Sequence, residues 1–82
     1  MSYEKVSQAD NVIIGTKQTV RALKSGLVLE VLLASDAETR IIHPIIQAAE
    51  EANVPITMVD SMRDLGKACG IEVGATAAAI LI

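Results

Sequence analysis

The sequence predicts an α/β fold, a three-layer α/β/α sandwich around a central four-stranded mixed sheet, and three observations carry that expectation. Helical and extended patterns alternate along the 82 residues, with no long linker, low-complexity tract or internal repeat. Residues 28–34 form an apolar run interrupted only by Glu30, the pattern of a strand buried on both faces. Hydrophobic residues make up 51% of the chain, yet there is one Tyr and no Phe or Trp, so the core has to be aliphatic. A chain of this length makes one compact domain, expected over residues 1–82.

The elements follow in order. Residues 2–9 read as a short helix, with Ser2 as N-cap and Glu4 in the first turn. Val12, Ile13 and Ile14 are a β-branched run that stops at Gly15, after which Thr16 caps a helix running to about Ser25 and closed by Gly26. The strand over 28–34 comes next, then a polar loop over 36–39. Pro44 lacks an N–H and is best tolerated in a first helical turn, which sets the expected helix at residues 44–52. A third strand over 54–59 is opened by Pro55. Ser61 with Asp64 matches the capping signature, giving a helix over 62–69 closed by Gly70. The tail, 75–82, holds alanines that favour helix and Ile80, Leu81 and Ile82 that favour strand; the strand is the expectation adopted. Helices alternating with short apolar strands then stack as the sandwich.

Several chemistries are excluded. A phosphate-binding P-loop needs a Gly-Lys-Ser/Thr preceded by a spaced glycine, whereas Gly66-Lys67 is followed by Ala68. The dinucleotide pattern of spaced glycines is missing, because Gly15 stands alone before its helix. Cys69, the single cysteine, has no disulfide partner and no zinc-ligand spacing, and together with His43 it lacks the tuning groups of a thiol catalyst. It reads as a packed thiol in a reducing compartment. The expectation is a cytoplasmic, non-enzymatic protein without cofactor or metal; residues 1–10 are polar, and no apolar run reaches bilayer length.

The formal net charge of −3 argues, as a sum, against a polyanionic partner. The distribution argues otherwise: residues 11–29 contain Lys17, Arg21 and Lys24 and no Asp or Glu. On a helix those three fall at i, i+4 and i+7, one face, with Val20 and Leu23 on another. The first turn carries Lys17 and Gln18 where an acid is usual, so free N–H groups, the helix dipole and a lysine form an anion site. The same charges also suit an ordinary solvated helix face. A second segment, residues 66–74, sets Ile71 and Val73 in a glycine-bracketed turn with Lys67 nearby. The two aliphatic residues either lead into the last strand or offer a platform for an unstacked base.

Three pieces together resemble the kink-turn RNA-binding ribosomal proteins, a group that includes the archaeal large-subunit kink-turn protein, and most of all its short bacterial members. They are Gly15-Thr16-Lys17-Gln18-Thr19-Val20-Arg21, Leu33-Ala34-Ser35-Asp36-Ala37, and Leu65-Gly66-Lys67-Ala68-Cys69-Gly70-Ile71-Glu72-Val73. The resemblance spans nearly the whole chain. It implies that the start of the Thr16 helix enters the groove of a bent RNA beside tandem sheared G·A pairs, and that the late loop covers a nucleotide flipped from the bulge. Gly15 then permits close backbone approach, Lys17 and Gln18 face the G·A edges, Arg21 meets base or backbone, and Ile71, Glu72 and Val73 line the loop; Thr16 at the helix start and Lys67, near enough for a phosphate, complete the expected RNA-binding set. The implied partners are structured RNA and the ribosome, with no membrane, for a monomer. The archaeal and eukaryotic relatives typically carry Asn and Glu where this chain has Lys17 and Gln18, and often arginine where Ser25 precedes Gly26, whereas the short bacterial members share the Gly-Thr-Lys-Gln-Thr form, so RNA contacts differ in detail. A ribosome-associated protein-interaction module using the loop around Ile71 is the competing expectation.

Overall fold

The structure, a computed structural model, describes residues 11–71 and 73–82; the helix expected over 2–9 lies outside them. Along the chain run β1 (Val12–Ile14), α1 (Thr16–Lys24), β2 (Val28–Ala34), α2 (Thr39–Ala52), β3 (Ile56–Val59), α3 (Met62–Ala68) and β4 (Ala77–Leu81). The strands form one sheet in the order β1-β4-β2-β3. The last strand is thus inserted in the middle, antiparallel to both neighbours, while β2 and β3 pair in parallel across the α2 crossover. The sheet is mixed, as expected.

Period-two alternation divides the core into two layers. Val31 and Leu33 of β2 pack with Leu23 of α1 and with Ile42, Ile45 and Ala49 of α2. Leu32 and Ala34, pointing the other way, pack with Val59, Leu65 and Ala78 on the α3 side. All four β2 residues are fully buried, so the strand has helices over both faces, which is why its sequence is continuously apolar. In β4, Ala77, Ala78 and Ala79 are likewise completely buried. Alanine's helix preference, a few tenths of a kcal/mol over its competitors, is small beside the ladder bonds and two-sided burial of a central strand.

Three local expectations change. Helix α2 begins at Thr39, so Pro44 sits inside it in the second turn rather than at its start, and the 36–39 loop is correspondingly shorter. The reason is Ile42: it shares the buried face of Ile45, Ala48 and Ala49, and only a helix starting ahead of Pro44 puts it there. Burying an isoleucine is worth about 1.5–3 kcal/mol, comparable to the cost of about 3 kcal/mol for an interior proline. At the start of α1, Gly15 rather than Thr16 occupies the N-cap, and no side chain caps the helix. Strand β3 opens at Ile56, with the Pro55 carbonyl still accepting from Val31 N at 3.0 Å.

The helix ends follow one device. Gly26, Asn53 and Gly70 take left-handed conformations, at φ 72°, 57° and 81°. After each, a residue's N–H reaches back to the carbonyl five residues earlier: Leu27 to Ala22, Val54 to Ala49 and Ile71 to Gly66. At the start of α3 the Ser61 hydroxyl accepts from Asp64 N at 3.1 Å, as the sequence predicts. Asp36, just past the end of the adjacent strand β2, adds a second cap, its carboxylate accepting from Met62 N at 2.8 Å. Ser35 is fixed beside it, donating through N and Oγ to the Val59 carbonyl at 2.8 and 2.7 Å.

Two outcomes are expected in urea unfolding. Asp36→Ala removes a cap and lowers stability by about 1 kcal/mol. The Thr19 hydroxyl is fully buried without a hydrogen-bond partner, so Thr19→Val raises stability by about 1 kcal/mol by removing an uncompensated polar group.

Candidate nucleic-acid interface

The start of α1 is built around Gly15. Its backbone, at φ 116° and ψ 156°, lies in a region open essentially to glycine alone. A Cβ there would also stand 2.6 Å from Gln18 Oε1, so the Gln18 amide lies over the glycine. Gly15 N donates to the Ala77 carbonyl at 3.1 Å, and its own carbonyl accepts from Thr19 N at 3.1 Å. The helix start is therefore tied to the first residue of β4. No acid occupies the first turn, Thr16 is half-buried, and Lys17, Gln18, Arg21 and Lys24 are exposed. The dipole and Lys17 act together at an end that no side-chain hydrogen bond caps.

The second segment is set by α3. The Ile71 N–H donates to the Gly66 carbonyl at 3.0 Å, and Ala75 N donates to the Met62 carbonyl at 2.9 Å. The two aliphatic residues separate: Ile71 is half-buried and packs onto the α3-side core, while Val73 is 72% exposed. Lys67 is exposed on α3. Glu72 lies outside the described residues.

Both segments lie toward one end of the sheet. Gly15 is bonded to Ala77, Ala34 N donates to the Thr76 carbonyl at 3.0 Å, and Val73 precedes Ala77 by four residues. Chain geometry alone holds Val73 within roughly 14 Å of that junction. Beside it an open groove of about 460 Å³ is lined by Thr16, Lys17, Val20, Arg21, Lys24 and Pro44, so Pro44 of α2 faces the basic stripe of α1. Sequence reasoning missed this wall, because nothing local to Pro44 marks the helix it packs beside. It also missed Asp36 as a cap; the available signal was an aspartate two residues past an apolar strand.

Burial pushes the Cys69 thiol up, away from the reactive thiolate, and the side chain packs on the α3-side core. Among the described residues no group of three His, Cys, Asp or Glu is placed to hold a metal ion, and no helix is long and apolar enough to cross a membrane.

Comparison with known proteins agrees with this fold. A profile of the ribosomal protein L7Ae/L30e/S12e/Gadd45 family matches residues 2–82. An RNA-binding protein of Geobacillus thermodenitrificans (strain NG80-2) is 64% identical over 81 residues, 99% of each chain. The RNA-binding protein YbxF of Geobacillus stearothermophilus is 63% identical over 81 residues, again 99% of each. Among solved structures, the Giardia lamblia 15.5kD RNA binding protein superposes with a TM-score of 0.84 at 27% identity, covering 98% of this chain and 67% of that one. A Bacillus halodurans protein of unknown function shares the fold at a TM-score of 0.83 and 23% identity, covering 95% and 78%. With residues 2–82 matched by the family profile and 99% of its length by bacterial proteins of its own size, the chain belongs to the ribosomal protein L7Ae/L30e/S12e/Gadd45 family.

Proposed function

We propose that this protein recognises kink-turn RNA, gripping tandem sheared G·A pairs with the start of α1 and stabilising the kinked conformation. The chain binds RNA, as its relatives named RNA-binding proteins do, and it is a binding protein rather than a catalyst. One observation supports the finer reading most: an uncapped, acid-free helix start with Lys17 and Gln18 exposed shares a sheet end with a loop that holds Val73 out to solvent. Lysine and arginine donate to phosphates or acceptor edges, Gln18 both donates and accepts, and an aliphatic side chain packs on a base face. Gly15, Thr16, Lys17, Gln18, Arg21, Lys67, Ile71, Glu72 and Val73 are the residues assigned to the interface. The negative charge elsewhere opposes indiscriminate RNA binding, while the local basic stripe captures the backbone. Binding then selects the kinked member of an RNA ensemble that also holds straighter forms. We assign the whole chain to one domain acting as a cytoplasmic monomer, with structured RNA and the ribosome as its partners.

The test is a titration against one kinked RNA and the same RNA with its G·A pairs replaced by Watson-Crick pairs. The kinked form is expected to bind at least about tenfold more tightly. Equal binding overturns the kink-turn reading and leaves Val73 as a contact for another protein. Lys17→Ala or Arg21→Ala is expected to weaken the kinked complex by about tenfold and to flatten the salt dependence by about one unit of log–log slope. Lys5→Ala and Arg40→Ala are expected to change affinity less than about twofold, since Arg40 already pairs with Glu38 at 2.9 Å on the exposed start of α2. Equal losses at all four would reduce the interaction to diffuse electrostatics.

A further inference from the structure

We propose that Gly66 is a positioning residue for RNA recognition: having no side chain, it lets the backbone of Val73 and Gly74 lie directly on α3 and so fixes how Val73 is presented. This rests on the RNA-binding reading above. Gly66 is buried in the interior of α3, where glycine costs about 1 kcal/mol relative to alanine, so helix formation gives no reason for it. The loop does. A Cβ at Gly66 would overlap the Val73 carbonyl oxygen, and would stand 3.1 Å from the Val73 carbonyl carbon and 3.2 Å from the Gly74 Cα. These are backbone atoms, which cannot swing aside as a side-chain tip would.

A second close approach lies one helical turn away. A Cβ at Gly74 would stand 3.2 Å from the Met62 Cβ, and Ala75 N donates to the Met62 carbonyl at 2.9 Å. At the other end of the loop, Ile71 N is bonded to Gly66 itself. The turn is therefore pinned to Met62 and Gly66 on both sides, and Val73 projects from its middle. A side chain held in place in the free protein loses less freedom when it packs against a base. Gly66 touches no RNA in this account; it acts through Val73.

The experiment compares two probes, a kinked RNA with its bulge nucleotide intact and the same RNA with an abasic residue at the flipped position. The wild-type protein is expected to prefer the intact RNA by about fivefold or more, the range of one base-packing contact. Gly66→Ala is expected to erase most of that preference while affinity for the abasic RNA stays within about twofold. Gly74→Ala, whose new Cβ meets only a tight contact, is expected to erase part of it, and it decides the matter if Gly66→Ala does not fold. The inference is overturned if the folded variants keep the wild-type preference, if they lose affinity equally for both RNAs, or if the wild-type protein does not distinguish the two. Failure of the wild-type protein to bind either kinked RNA better than a straight duplex would instead overturn the kink-turn reading itself.

Discussion

Everything in the molecule depends on where β4 sits. The last strand runs between β1 and β2, and its three consecutive alanines lie under both helical layers with no exposed surface. At its amino end, Ala77 receives the Gly15 N–H, and the preceding Thr76 carbonyl receives the Ala34 N–H. That end is consequently a junction of three segments far apart in sequence: the β1–α1 turn, the end of β2, and the loop following α3. Without the insertion of β4, the basic helix start and the loop of the exposed valine would have no reason to share one end of the sheet.

The electrostatic arrangement follows the same economy. A chain of net charge −3 keeps its acids away from residues 11–29, so α1 carries positive charge at a helix start that already bears the positive end of a dipole. With a screening length of about 8 Å at physiological ionic strength, this local field outweighs the distant carboxylates for any anion in contact with α1. The same carboxylates still act on whatever approaches the rest of the surface. Sum and distribution thus serve different purposes, and only the second locates the interface.

Much of this was legible in the sequence, and the successes share a cause. β2 was readable because burial on both faces demands an unbroken apolar run, and the ends of α1 and α3 because Gly26 and Gly70 meet a left-handed requirement that few residues satisfy. Ser61 was readable because its capping bond spans only three residues. What escaped is long-range. The early start of α2 is decided by Ile42 finding a place in the core, which overrides the local cost of Pro44. The Asp36 cap reaches Met62 across 26 residues, and the groove between α1 and Pro44 exists only once both helices lie on the sheet. For Gly15 the sequence marked the position but not its function, since a vacant cap is visible only against the backbone angles.

The alanines of β4 carry one more consequence. Methyl side chains have no rotamers to lose, so the central strand is ordered at the lowest side-chain entropy cost in the sheet. Over these three residues each face of the sheet presents only methyl groups to the helical layers. Enlargement at Ala77, Ala78 or Ala79 wedges those layers apart, whereas β3, with Met58 half exposed, lies at the rim, where bulk spills into solvent. Tolerance to sequence drift should therefore fall steeply from the rim of the sheet to its middle, making this plain stretch of the chain its least negotiable one.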